Sequence, residues 1–408
     1  MRIGIATDLH LGLREYGLKE REDDFYNQYQ KVINQFIESD VDIVIFGGDI
    51  FDQARPSPIA MENFTYGIRN LLKNDIQVLN IIGNHGMIQS NDFVTADEFI
   101  FNTIEDERCF LLDEDHFLIQ NDFGIFGLPY YFNFELDDFV KEVSKLNQKA
   151  KELKTKSNIL VVHQAFKEYC GFTGEPLSIN DIDISAFDVI VCGHIHDRKL
   201  ISIDDNHIYL QPGSIERSSI AEARDEENFG KGIYIIDSDH LDINSIANGF
   251  CRIHCERAFL IADMYIDDIS EIQDMKQEIL EKTTQYDIAP LLFLTVHDSS
   301  GSFRQLTDLV KDLKSEFLTV NFNYIDESLE DMEEQFNEIK LNGARGALRM
   351  ALNPLEDNQI KLGLDLFDNL KDGKDVSKLL EDYRQKNYPP KEIEHDNFDT
   401  TEIEEWLK

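Results

Sequence analysis

The sequence has few basic residues, few cysteines and no long apolar run. It carries 79 acidic against 39 basic residues, a formal net charge of −40, so no global basic patch can attract nucleic acid. The five cysteines are irregularly spaced, which predicts reduced thiols and argues against a disulfide framework. No apolar run approaches ~20 residues, and "MRIGIATDLH" lacks the features of a leader, so we expect a cytoplasmic protein without a membrane span.

Short apolar runs rich in β-branched residues alternate with segments of helical spacing. The runs lie at residues 3–6, 41–46, 78–82, 159–162 and 189–192, and helical spacing is seen at 25–36 and 61–72. This alternation predicts βαβ units and a mainly parallel sheet. From about residue 197, "HIYLQPGSIE" and "KGIYIIDSD" predict a second, more antiparallel sheet packed against the first.

Changes of pattern along the chain predict its domain organisation. Residues 1–250 form an α/β domain with both sheets, and residues 256–325 form a small α+β domain in the order β-α-β-α-β. Residues 326–354 are predicted to be an acidic linker, 355–388 a helical segment and 389–408 a flexible tail.

A metal-binding donor follows each of the five early apolar runs. The eight donors are Asp8, His10, Asp49, Asn84, His85, His163, His194 and His196. Because the carboxyl ends of strands in an open α/β sheet share one edge, we expect these donors to converge. A set of Asp, Asn and His without cysteine suits Mn²⁺, Fe²⁺ or Zn²⁺, and its size suits two metals about 3.5–4 Å apart that share a carboxylate.

The alternative is that these histidines are ordinary half-buried residues at strand ends, which is the usual role of a single one. Five such endings in order argue against that interpretation. Burying so many donors together without an ion would also leave unpaired polar groups, each costing roughly 1–3 kcal/mol.

The motifs that carry these donors resemble those of a known superfamily. The segments "DLHLG", "GGDIFD", "GNH", "VVHQ", "GHIH" and "PGSIER" resemble the calcineurin-like metallophosphoesterases. With "RPSP" at 55–58, the sequence is similar to the SbcD / Mre-eleven DNA repair nucleases in their archaeal form. The resemblance implies an α/β fold, namely a two-sheet αββα metallophosphoesterase sandwich, with a small capping domain and a C-terminal helical partner-binding segment.

The resemblance also implies a role for each matched donor. One metal would be held by Asp8, His10, Asp49 and His196, and the other by Asp49, Asn84, His163 and His194. Asp49 would bridge the two ions, which are expected to be Mn²⁺, with Mg²⁺, Fe²⁺ or Zn²⁺ as alternatives. His85 is not a ligand in the family and would face the phosphate.

Gly86 departs from the family, in which many relatives carry an acid directly after the histidine. Asp52 stands three residues beyond Asp49, where an acid orients the catalytic histidine in related phosphatases. We therefore predict that Asp52 hydrogen-bonds His85 and keeps it protonated. The alternative is that Asp52 caps a turn and has no catalytic part.

Basic residues near the motifs are candidates for DNA contacts, and they are Arg14, Lys19, Arg21, Arg55 and Arg217. They could neutralise phosphates locally. Since acids are interleaved with them, an exposed charged helix start explains the same pattern, and the resemblance favours DNA. The additional domain and the C-terminal helices also favour a large substrate.

Apolar residues outside the motifs point to protein partners. The region that forms the homodimer interface in the family would include Met61, Phe64 and Ile68, with residues 93, 99 and 100. Core packing within one subunit explains the same apolar pattern equally well. In the C-terminal segment, the residues expected to dock on an SbcC-type coiled-coil ATPase are Ile360, Leu364, Phe367, Leu379 and Leu380.

The resemblance therefore predicts a prokaryotic, chromosome-associated nuclease that acts with this ATPase. It would be a 3′–5′ double-strand exonuclease and a single-strand endonuclease in double-strand-break repair. Two alternatives stay open: a phosphodiesterase for nucleotides or other small esters, and a non-catalytic scaffold that binds DNA ends.

Overall fold

The computed structural model describes residues 1–87, 94–171, 175–301, 303–326, 357–371 and Lys378. The chain divides into two compact units. The first comprises residues 1–264, 272–295 and 304–323, and the second comprises 265–271, 296–303 and the described part of 324–408. The domain limits expected from the sequence stay a prediction.

The strands of the described residues are short and buried for the most part. They are β1 (Arg2–Ala6), β2 (Ile43–Phe46), β3 (Gln77–Asn80), β4 (Cys109–Leu111), β5 (Leu118–Gln120), β6 (Phe123–Gly127), β7 (Ser157–Val162), β8 (Val189–Cys192), β9 (Lys199–Ser202), β10 (Ile208–Gln211), β11 (Gly232–Asp237), β12 (Phe250–Arg252), β13 (Phe259–Ile266), β14 (Leu291–Asp298) and β15 (Thr319–Asp326).

Helices connect these strands. They are α1 (Lys19–Glu38), α2 (Pro58–Lys73), α3 (Ala96–Thr103), α4 (Leu136–Leu153), α5 (Ile220–Phe229), α6 (Ile243–Asn248), α7 (Glu271–Thr283), α8 (Phe303–Leu313) and α9 (Asp357–Lys371). Local sequence fixes where several of them begin. Helix α2 begins with Pro58, and the hydroxyl of the preceding Ser57 accepts a hydrogen bond from the amide of Ala60. Thr95 and Glu98 form a capping box at α3.

Two six-stranded sheets form the body of the first unit. One has the order β12-β11-β1-β2-β3-β4, in which β1 to β4 run parallel and β11 is antiparallel to β1. The other has the order β5-β6-β7-β8-β10-β9, in which β6, β7, β8 and β10 run parallel between antiparallel edges.

The two faces of each central strand are buried in different layers. Alternate residues of a strand point to opposite faces. Thus Ile3 and Ile5 pack with Ile159 and Val161 between the sheets, whereas Val44 and Phe46 pack with Tyr29 and Phe64 from α1 and α2. On the far side, Leu160 and Val162 pack with Phe139 and Val143 of α4. The layers are helix, sheet, sheet and helix, so the predicted αββα sandwich is confirmed.

The division of strands between the sheets differs from the prediction. The early apolar runs do form strands, but β7 and β8 lie in the second sheet, and that sheet is mainly parallel. Of the two segments assigned to a second sheet, "HIYLQPGSIE" contains β10 of that sheet, while "KGIYIIDSD" becomes β11 of the first. Burial on both faces gives parallel strands of either sheet the same continuous apolar sequence, so composition does not separate them.

A third sheet has the order β13-β14-β15, with α7 and α8 as its connecting helices. The chain thus has the β-α-β-α-β order expected for 256–325. Each helix has a buried apolar stripe, Ile272, Met275 and Ile279 in α7 and Leu306, Leu309 and Leu313 in α8. No helix within the described ranges is long and apolar enough to cross a membrane.

Candidate metal centre

The loops that follow β1, β2, β3, β7 and β8 bring donors from both sheets to one place. Four of the donor residues have a positive φ, a region that is strained for residues other than glycine: Asp8 (54°), His10 (45°), Asp49 (47°) and His194 (88°). Hydrogen bonds hold these turns, since the amide of His10 donates to Asp49 O at 3.0 Å and that of His194 to Asp8 Oδ1 at 2.9 Å. Strain maintained in this way is typical of functional sites.

Asp8, His10 and His196 form a first cluster, whose candidate ligand atoms lie within 4.8 Å of one another. The Nε2 atoms of His10 and His196 are 3.0 Å apart. Burial, with the nearby charge of His196, lowers the pKa of His10 to about 3, so its imidazole is neutral at physiological pH. Two facing ring nitrogens are then suited to share a cation.

Asp49, His163 and His194 form a second cluster of the same kind. His163 Nε2 lies 3.1 Å from Asp49 Oδ2. Asn84 joins the cluster, because its Oδ1 lies 3.0 Å from His163 Nε2 and 2.7 Å from His194 Nδ1. Burial and the charge of His163 lower the pKa of His194 to about 4, which keeps that ring neutral.

The carboxylate of Asp49 connects the two clusters. Its Oδ2 reaches His163 of the second cluster and lies 3.9 Å from His10 Nε2 of the first. Although burial opposes ionisation, the charge and hydrogen bond of His163 lower the pKa of Asp49, so the carboxylate is charged. This placement corresponds to the bridging role that the resemblance implies.

The residues present fit a pair of divalent cations. Asp8 Oδ2 is buried and has no hydrogen-bond partner among the described residues, which leaves a buried acceptor oxygen to be satisfied. Glycines permit the close approach of the loops: a Cβ at Gly193 would lie 2.3 Å from Gly47 O, and one at Gly83 would lie 2.2 Å from Asp49 Oδ1. A buried set of carboxylate, amide and imidazole donors suits Mn²⁺, Fe²⁺ or Zn²⁺.

Hydrogen bonds on the far side of two rings orient their Nε2 atoms. His163 Nδ1 lies 2.8 Å from Gly47 O, and His196 Nδ1 lies 3.1 Å from Glu222 Oε1. With Nδ1 donating in this way, Nε2 is the atom that each ring would offer to a metal. Glu222 was missed from the sequence, because its spacing from "GHIH" carries no signal and only the fold brings α5 to His196.

His85 lies at the open side of the centre, with a side chain 39% exposed. Its Nδ1 lies 2.6 Å from the main-chain oxygen of Asp52, while the Asp52 carboxylate is 4.0 Å away. The predicted hydrogen bond from His85 to the Asp52 carboxylate is therefore wrong in its acceptor. A backbone oxygen accepts instead and orients the ring.

Comparison with known proteins agrees with this geometry. A sequence model of the family described as calcineurin-like phosphoesterase matches residues 1–198, which contain every predicted metal ligand. This region, just under half of the chain, is thus similar to the calcineurin-like phosphoesterases. The protein is a metal-dependent phosphoesterase, and the two ligand clusters form its candidate dinuclear centre.

The similarity to archaeal relatives extends beyond the matched family region. The DNA double-strand break repair protein Mre11 of Methanococcus maripaludis is 28% identical over 367 residues, 86% of this chain and 95% of that protein. The protein of the same name from Sulfolobus acidocaldarius is 22% identical over 94% of this chain and 98% of its own length. That from Methanocaldococcus jannaschii is 29% identical over 59% and 64%. For two of these three relatives the similarity thus extends over more than four fifths of both chains.

Replacing Glu222 by glutamine is expected to weaken metal binding about 10- to 100-fold. Glutamine keeps an oxygen near His196 Nδ1 but loses the charge that also pairs with Lys231 Nζ at 2.6 Å. Titration of the purified phosphoesterase with Mn²⁺ by calorimetry measures the change. Glu152→Gln, on the exposed face of α4, serves as the matched control. Equal affinities in the two variants would rule out an orienting role for Glu222.

A buried acid lies beside Gly86, the position at which many relatives carry one. Asp97 is 2% exposed and accepts from Asn80 Nδ2 at 3.0 Å, and its Oδ2 is 3.2 Å from where a Cβ at Gly86 would lie. A side chain at position 86 would crowd this carboxyl. Burial raises the pKa of Asp97 from 3.8 to about 7.

Asp97→Asn is expected to remove a pH dependence of stability. Since the folded-state pKa of Asp97 is raised, the protonated carboxyl stabilises the folded state. This stabilisation is fully present below about pH 4 and is lost as the pH rises to about 7. The free energy of unfolding of the wild type should therefore fall relative to Asp97→Asn by ~2–4 kcal/mol between pH 4 and pH 8. Urea unfolding in a chelating buffer measures this, with the exposed Asp205→Asn as control. A constant difference across the range would contradict the assignment.

Two of the five basic residues proposed for DNA contact are buried. Arg21 is 0% exposed, and its guanidinium bonds Glu15 at 3.0 Å and Asp24 at 2.6 Å. Arg217 is 5% exposed and donates to the main-chain oxygen of Arg257. Their prediction as DNA-binding residues is therefore wrong, because neither guanidinium can reach a phosphate.

The other three basic residues are exposed, but acids accompany two of them. Arg14 Nε lies 2.5 Å from Glu22 Oε2, and Lys19 pairs with Glu22 and Asp23. Arg55 is exposed in the loop before α2. Whether these residues contact DNA stays a prediction.

The apolar residues proposed for partners fall into different classes. Phe64, Ile68 and Ile100 are buried in the core of one subunit, whereas Phe99 is 55% exposed. Met61 is partly buried, and residue 93 lies outside the described residues. In the C-terminal segment, Ile360, Leu364 and Phe367 belong to α9, and Leu364 is 8% exposed. Leu379 and Leu380 lie outside the part that the structure describes.

Proposed function

We propose that this phosphoesterase is a two-metal DNA nuclease that processes DNA ends in double-strand-break repair. The observation that carries the proposal is the pair of ligand clusters that adjoin at Asp49, with His85 beside them on the open side. The relatives named DNA double-strand break repair protein support DNA as the substrate. The proposal includes four functions: 3′–5′ exonuclease, single-strand endonuclease, subunit of a homodimer and partner of an SbcC-type ATPase.

Each residue of the centre has a defined task in this proposal. Asp8, His10 and His196 would hold one ion, Asn84, His163 and His194 would hold the other, and Asp49 would contribute to both sites. Bound ions supply Lewis acidity toward the phosphate and activate the attacking water. His85, held by the Asp52 carbonyl through Nδ1, presents Nε2 to the phosphate and donates a proton to the leaving oxygen. Asp52 acts on His85 through its main chain, and its carboxylate adds a weaker electrostatic attraction.

Partner surfaces are proposed on the same basis. A cavity of about 430 Å³ lies at α2 and α3, lined by residues that include Met61, Tyr66 and Phe99. Tyr66 is 58% exposed, so a second copy of the chain could cover this surface. The segment 355–388 is assigned to the coiled coil of the ATPase. Such a complex would work at the chromosome in the cytoplasm of a prokaryote.

One assay separates the nuclease from its two alternatives. The phosphoesterase is incubated with Mn²⁺ or Mg²⁺ and either an end-labelled duplex or the small ester bis(p-nitrophenyl) phosphate. A nuclease shortens the duplex, a small-ester phosphodiesterase hydrolyses only the second substrate, and a scaffold acts on neither.

His85→Ala is expected to lower the rate of duplex cleavage by about 10²–10⁴, the usual contribution of a general acid. His116→Ala is the control, because His116 is 68% exposed and lies outside both metal clusters. Cleavage by His85→Ala at the wild-type rate would contradict the role given to this ring.

A further inference from the structure

Three aromatic rings lead outward from the metal centre along the segment after β6. Tyr130 packs on the metal-ligand candidate His194, with ring centroids 5.6 Å apart. Phe132 meets Tyr130 edge to face at 5.4 Å, and Phe134 stacks on Phe132 at 5.5 Å with an interplanar angle of 4°. The outermost ring is 78% exposed. The series therefore begins at a ligand of the centre and ends in an open aromatic face.

The protein holds this segment in place from both sheets. The amide of Tyr130 donates to Ile82 O at 2.8 Å, next to the loop that carries Asn84 and His85. Gln164 Nε2 donates to Tyr131 O at 2.9 Å, directly after His163. Alternate side chains point the other way, since Tyr131 packs on Phe139 of α4. The rings are thus fixed relative to the reacting centre.

The surroundings of the rings favour a neutral, flat ligand. Asp137 and Asp138 follow in the first turn of α4 and would repel a phosphate. Of the five basic residues that the sequence offered for phosphate contact, Arg21 and Arg217 are buried, and Arg14 and Lys19 are paired with acids. In a chain of net charge −40, a contact that needs no positive field is the more effective way to hold a nucleic acid strand. Base–aromatic stacking is such a contact and is independent of base sequence.

We propose that Phe134, supported by Phe132 and Tyr130, is a stacking platform for an unpaired base close to the scissile phosphate. This inference rests on the proposed nuclease function and specifies its substrate. Only a base at an end, in a frayed end or in a single strand has a free face to continue the stack of Phe132 and Phe134. The platform therefore selects unpaired or terminal nucleotides.

A binding experiment tests the platform without requiring hydrolysis. A short single strand carries the fluorescent base 2-aminopurine at its end, and Ca²⁺ replaces the catalytic metal. Stacking on Phe134 should quench the fluorescence. Phe134→Ala should raise the apparent Kd about tenfold and reduce the quenching, whereas Phe134→Trp should restore both. Leu153→Ala, an exposed apolar residue at the end of α4, is the control and should leave binding unchanged.

A kinetic ratio provides a second test that does not depend on the fraction of folded enzyme. The wild type should cleave an intact terminal nucleotide about tenfold better, in kcat/KM, than an abasic one, and Phe134→Ala should show a ratio near one. An unchanged ratio, or quenching by Phe134→Ala equal to that of the wild type, would overturn the platform. A Phe134→Ala protein that changed its oligomeric state in sedimentation would overturn it too, by making this face a subunit contact. Quenching without any metal-dependent cleavage would instead contradict the proposed nuclease function.

Discussion

Asp49→Ala is expected to abolish metal-dependent phosphodiester hydrolysis, with a fall in kcat of at least about 10³. The reason is the position of this carboxylate between the clusters, 3.1 Å from His163 Nε2 and 3.9 Å from His10 Nε2. Its Oδ1 also accepts from the amide of His85 at 2.8 Å. One substitution therefore removes charge from both ion sites and releases the loop of His85.

The measurement pairs activity with metal content. Bis(p-nitrophenyl) phosphate turnover and bound Mn²⁺ are determined on the same samples, beside Asp205→Ala as an exposed carboxylate control. Asp49→Ala should lose both turnover and bound metal, while the control keeps them. Full metal binding by Asp49→Ala would show that the carboxylate does not connect two ions.

The ligand positions could be predicted because the end of a buried parallel strand can be recognised in the sequence. Runs such as 43–46 and 189–192 are apolar on both faces, so the first polar residue after each one marks the rim. What the sequence could not supply was the sheet to which each strand belongs. The rim is assembled from two sheets, and the convergence of Asp49 with His163 depends on how those sheets pack.

Contacts made by the main chain and by distant acids could not be predicted either. The Asp52 carbonyl has no side-chain identity that a motif could reveal, and it, rather than the carboxylate, bonds His85. Glu222 becomes a partner of His196 only when α5 is placed against "GHIH". Sequence spacing identifies the atoms that would touch metal, but not the ones that orient them.

The burial of Arg21 shows why charge patterns near a motif do not reliably predict contact with nucleic acid. Arg21 lies among acids in "KERED", a pattern typical of an exposed helix start. The fold instead turns it inward, where it bonds Glu15, Asp24 and the main-chain oxygen of Arg217. A guanidinium offers five donors in a fixed plane, which suits several acceptors at once.

Arg21→Met is therefore expected to lower the free energy of unfolding by about 3–5 kcal/mol, because it removes the charge partner that three buried carboxylates share. Glu15 and Glu216 lie within 3.0 and 3.5 Å of the guanidinium, and both are buried. Asp24 would keep only Arg257, whose Nε lies 2.6 Å from it. Methionine preserves much of the aliphatic volume, so the loss reports on charge rather than on a cavity.

Urea unfolding of Arg21→Met is compared with that of Lys19→Met, two residues earlier on α1. Lys19 is 45% exposed and its ion pairs are screened by water, so its replacement should change stability by less than about 1 kcal/mol. DNA affinity gives the discriminating result. If Arg21 touched phosphate, Arg21→Met would weaken binding and its salt dependence while leaving stability intact. The buried network requires the opposite: a large loss of stability with an unchanged salt slope in the folded protein.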